Sequence, residues 1–179
     1  MRTVLVNLCL YQTGWFACVL GAAMGHPWTG AGTALFLLTV HLLLCRERRK
    51  EILTVSCIAL GGTLIDSVQA FSGVLVFLSG YWTQWVVPFW ITVMWLQFAT
   101  LFHFALSWLS GRYFLSAVLG SIGGPLAYLT GERLGAAIFP CSFRFSYTVL
   151  AIVWFFVLPG CVFIADRFKP SRKGYRIWS

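Results

Sequence analysis

Long apolar stretches separated by short polar breaks run through the whole chain. Residues 3–24, 30–45, 52–71, 88–109, 113–130 and 146–165 are each nearly free of charge. At 1.5 Å rise per residue, a helix of 20 such residues covers about 30 Å, the hydrocarbon thickness of a bilayer. The pattern predicts an all-α integral membrane protein, a bundle of six transmembrane helices forming one membrane domain over 1–179. The first run is read as a retained helix and not a cleaved signal, because it is long for a signal's apolar region and Asn7 and Gln12 interrupt it. Residues 72–87 carry no charge but hold Tyr81, Trp82 and Trp85. That composition predicts an interfacial segment, partly re-entrant, with rings at headgroup level. Gly123-Gly124-Pro125 predicts a break in the fifth helix, since proline removes a backbone donor and disfavours helix in the residue before it.

Composition agrees with the pattern. The chain is 59% hydrophobic and only 10% charged, well short of the quarter or so that a soluble domain uses for its shell. The six cysteines include no C-x-x-C pair, and five lie in apolar runs, so they read as small packing residues.

The formal charge of +8 raises nucleic acid as a partner, but the placement of the cations excludes it. Eleven of the 13 Lys and Arg residues fall in the breaks on one side, densest at Arg46–Glu51, and only Arg133 and Arg144 fall on the other. Cytoplasmic loops carry such an excess. Both termini and the 46–51 loop are therefore expected to face the cytoplasm, with anionic lipid as the cations' partner.

Polar residues inside the runs are few. Asp66 lies about 22 Å along its helix from Glu51, in the outer half of the bilayer. Its helical neighbours Gly62, Thr63, Gln69, Ala70 and Gly73 form a small and polar stripe that turns it inward. Two readings stand: a contact for a proton, ion or substrate, or a structural acid that is neutral or bonded to Arg133. A pocket in the outer half would use Asp66, Gln69, Tyr128, Glu132 and Arg133. At the inner end, Asn7, His41 and His103 lie at similar depth and are expected to form a polar cluster. Two histidines without a third donor make no metal site, so neither a metal nor a cofactor is expected. Ala17, Gly21 and Gly25 recur every fourth residue, a spacing that lets helix backbones approach, within the chain or in self-association. Metalloprotease, hydrolase, nucleotide-binding and dinucleotide-binding signatures are all missing.

Several segments resemble an uncharacterised family of small multi-pass bacterial inner-membrane proteins. They are Gly14–Ala23, Pro88–Trp95, Phe98–Leu109 around His103, and Gly123-Gly-Pro-Leu-Ala-Tyr128 through Gly135. The resemblance covers most of the chain and implies the bacterial inner membrane. It carries no activity or site residue with it. The leading expectation is a protein that binds or moves a small or lipidic ligand through the outer pocket. An accessory or assembly subunit, binding a membrane-protein partner, is the second. A membrane-embedded lipid-modifying enzyme with His103 and Asp66 as its acid–base groups is the third.

Overall fold

A computed structural model of the protein describes residues 2–170. The basic residues Arg172, Lys173 and Arg176 of the tail lie outside the described residues. Among the described residues there are six α-helices: α1 (Arg2–Ala23), α2 (Pro27–Leu44), α3 (Arg48–Phe71), α4 (Phe89–Ala99), α5 (Tyr113–Arg133) and α6 (Phe143–Arg167). Five are long and apolar enough to cross a membrane; α4, with 11 residues, is shorter.

Local chemistry sets the ends. Gly25, at φ 77°, closes α1 in a left-handed turn, with the His26 amide donating to the Gly21 carbonyl at 2.7 Å. Pro27 then opens α2 at a position where no backbone donor is needed. The Ser142 hydroxyl caps α6 by accepting from the Phe145 amide. On the α1–α2 hairpin, a Cβ at Gly30 would overlap the Ala17 backbone, and one at Gly21 would press on Gly30. The Ala17–Gly21 face is thus spent within the chain, against α2, while Gly25 lies in the turn.

α4 sits at the centre, packed on α1, α2 and α3, and α5 pairs with α6. Trp90, Ile91, Val93, Trp95, Gln97 and Ala99 of α4 are all buried. The expected fourth span, 88–109, is helical only to Ala99; turns follow, then a 3₁₀ turn at Ser107–Leu109. Asn7 explains the early stop. Its Nδ2 donates to the Thr100 carbonyl at 3.2 Å, and its Oδ1 accepts from the Ala105 amide at 3.3 Å. One buried side chain therefore satisfies a carbonyl and an amide that the next helical turn would have satisfied.

The break expected in α5 is absent: the helix runs continuously through Pro125. The glycines before it serve packing instead. Gly120 and Gly124, one turn apart, leave no room for a Cβ against the Trp154 backbone and indole of α6. Residues 72–87 form no helix. Two residues there, β1 (Val76–Phe77), pair antiparallel with β2 (Ala137–Ile138) to cover one end of the bundle. Leu75 and Phe77 are buried in that cover, while Trp82 and Trp85 are exposed. The end carrying the 45–50 loop is called the basic end below.

Candidate functional site

One face of α3 is buried along its length: Glu51, Val55, Ile58, Gly62, Asp66 and Gln69. The spacing follows the 3.6-residue period, so both acids lie on one stripe, 15 residues or about 22 Å apart.

Toward the far end, Gly62 has no Cβ, and one would overlap the Trp95 indole. Trp95 therefore lies flush against α3 and donates from Nε1 to Asp66 Oδ2 at 2.7 Å. The Tyr128 hydroxyl donates to Oδ1 at 2.6 Å, and Gln69 Nε2 donates to the same oxygen at 3.1 Å. Trp95 also stacks on Trp154, with centroids 5.4 Å apart and planes 9° from parallel. Gly124 makes the space that Trp154 occupies. Two glycines and two indoles thus link α3, α4, α6 and α5, and Asp66 is bonded at one end of the link.

Beside this link lies a partly open cavity of about 250 Å³. Tyr11 and Trp15 of α1 line one wall, Gly123 and Ala127 of α5 the other, with Trp95 and Phe98 of α4 between them; Asp66 also lines the cavity. α1 and α5 make little direct contact, and the cavity opens between these helices. Of the five residues expected in an outer pocket, Asp66, Gln69 and Tyr128 are brought together. Glu132 is half-buried and Arg133 is exposed, and neither lines this cavity. The expected Arg133 bond to Asp66 is not made, because Trp95, Tyr128 and Gln69 hold the carboxylate instead.

At the basic end, Glu51 is 2% exposed and lies between two imidazoles. His41 Nε2 is 2.8 Å from Oε1, and His103 Nδ1 is 2.6 Å from Oε2. His103 Nε2 lies 3.1 Å from the Ala165 carbonyl. That carbonyl only accepts, so Nε2 carries hydrogen. One proton is then shared across the His103–Glu51 contact, on the ring beside a carboxylate or on the carboxyl beside a neutral ring. Cys45 Sγ lies 3.4 Å from His41 Nε2. His41 Nε2, Cys45 Sγ and a Glu51 oxygen all fall within 4.8 Å of one another, the one such group of metal-ligating atoms among the described residues.

The inner cluster expected from Asn7, His41 and His103 therefore has a different composition. Glu51 joins the two histidines, and Asn7 bonds the Thr100–Ala105 turn instead. Reading Arg46–Glu51 as one charged loop hid this, since α3 starts at Arg48 and turns Glu51 inward. The signal was available: the Asp66 stripe continued backward at helical spacing lands on Glu51. His103 and Asp66 share no centre, because each is bonded at a different end of α3.

Residues 4–160 match a family described as a protein of unknown function, DUF2878. The chain belongs to the DUF2878 family. No curated protein and no solved structure matches it. Membership in DUF2878 assigns no chemistry, so the two buried carboxylates are the starting point for function.

Proposed function

We propose that the protein is a multi-pass protein of a bacterial inner membrane that holds a small amphiphilic or lipidic ligand in the cleft beside Asp66. One observation carries this reading: a cavity of about 250 Å³, walled mainly by aromatic and small residues, with a single carboxylate at its side. Because α1 and α5 make little direct contact, a ligand can enter sideways, from the bilayer. Lipid tails are as apolar as the walls, so burial alone gives little net drive. Affinity then comes from shape, ring contact and the ligand's polar end. All three partners of Asp66 are neutral donors, so among the described residues no cation is bonded to its carboxyl group. A polar end that donates hydrogen bonds or carries positive charge complements that arrangement.

Orientation in this reading follows the cations. The termini and the 46–51 loop face the cytoplasm, and the short α4 with its following turns completes the fourth of six passes. A cysteine at position 48, in a protein lacking the native cysteines, should label from the cytoplasmic side alone. Labelling from the outside in intact cells would reverse the orientation.

Native mass spectrometry of the purified protein, with lipids retained, tests the cleft. The parent should carry one small amphiphile, and Ala127→Trp, which fills the cavity from α5, should lose it. Equal retention by a folded Ala127→Trp variant rejects the cleft as the binding place.

A further inference from the structure

We propose that His41, Cys45 and Glu51 bind one zinc ion at the basic end of the bundle, separately from the cleft beside Asp66. His41 and Cys45 are four residues apart at the end of α2, and Glu51 lies in the first turn of α3. One helix–loop–helix hairpin thus supplies all three donors. The sequence offered two histidines and lacked a third donor; the fold supplies it twice over, as carboxylate and thiol.

The geometry is close to what a tetrahedral ion needs. With zinc bonds of about 2.0 Å to nitrogen or oxygen and about 2.3 Å to sulfur, ligand atoms stand about 3.3 Å apart, or about 3.5 Å where sulfur is one of them. The Cys45–His41 distance of 3.4 Å already fits. The His41–Glu51 distance of 2.8 Å has to open by about half an ångström. Imidazole, thiolate and carboxylate together form a borderline donor set that suits zinc better than magnesium or calcium, which take oxygen alone. His103 is a positioning residue. Its Nδ1 holds Glu51 Oε2, which leaves Oε1 directed at His41 and free to take the metal.

Loading balances without electron transfer. The Cys45 thiol gives up its proton, a sulfur–zinc bond forms, and the proton leaves through the surface depression lined by residues 45–50. The His41 hydrogen moves from Nε2 to Nδ1, a buried atom without a hydrogen-bond partner. Thiolate and carboxylate offset the charge of the dication. The exposed Arg46, Arg48 and Arg49 at the rim oppose its approach, and salt screens them.

The test uses the full-length protein, purified in detergent through a tag without histidines. Elemental analysis should find one zinc per chain after loading and removal of excess metal. Zinc-edge X-ray absorption on that same parent should show one sulfur at about 2.3 Å among lighter donors. Cys45→Ser should remove the sulfur signal and weaken zinc binding by more than about 100-fold. His103→Phe, acting through Glu51, should weaken it by about 10- to 100-fold. Glu51→Gln suits as a fold-preserving control, because its amide can donate to His103 Nδ1 and accept from His41 Nε2. A parent that takes up no zinc, or a zinc site without sulfur, overturns the proposal. The parent spectrum decides this even where a variant fails to fold, and it is independent of what occupies the cleft.

Discussion

Glu51 and Asp66 are carboxylates on one face of one helix, both essentially withdrawn from solvent, yet they are held in opposite ways. Glu51 has a titratable imidazole on each oxygen. Asp66 has only neutral donors and borders the cleft. A buried acid between two imidazoles is costly to break up, because removing it leaves buried polar partners unpaired. A buried acid held only by neutral donors has no cationic partner, and inside a bilayer an acid so placed is a candidate contact for a ligand, ion or proton. In our proposals the same residue class on the same helix serves metal binding at one end and ligand recognition at the other.

Truncating the two acids should separate them most. Glu51→Ala leaves two buried imidazoles facing a void and should cost about 3–5 kcal/mol of stability. Asp66→Ala strands three neutral donors and should cost about 1–3 kcal/mol. Unfolding of both variants in the same detergent reads the difference; equal losses would mean that the imidazoles add nothing beyond ordinary hydrogen bonds.

The smallest effect is expected from Asp66→Asn. Gln69 Oε1 is buried without a partner, so its amide can flip and accept from the new amide nitrogen. Tyr128 can turn its hydroxyl to accept there as well, while Trp95 keeps its oxygen. The flip leaves the Gln69 amide nitrogen where Oε1 had no partner, so one donor goes unpaired and stability should fall by about 1 kcal/mol. Ligand retention in the cleft should nevertheless fall, because the charge is gone. A variant that retains its amphiphile as the parent does would make Asp66 a structural acid only.

Legibility varied along the chain for definite reasons. Five long helices followed from apolar length alone, since little else can hide so many backbone groups in so apolar a chain. The inward face of Asp66 followed from the stripe Gly62, Asp66, Gln69, because helical spacing is fixed by the backbone. Gly123-Gly124-Pro125 misled, because a glycine that lets a helix bend and one that admits an indole look alike in sequence. The length of α4 misled too, since the residue that ends it, Asn7, lies on a helix 93 positions earlier.

By itself the sequence determined how many apolar segments there are, which side of each helix is polar and where the cations gather. Those properties depend on composition and on a 3.6-residue repeat, both local. Only the tertiary structure decided that Trp95 and not Arg133 meets Asp66, that Glu51 joins His41 to His103, and that α1 and α5 stand apart. Each of these depends on which side chains from distant segments fill the same space. Among close-packed side chains that is settled by shape, by one missing Cβ at Gly62 or Gly124, and not by any pattern that neighbours along the chain can display.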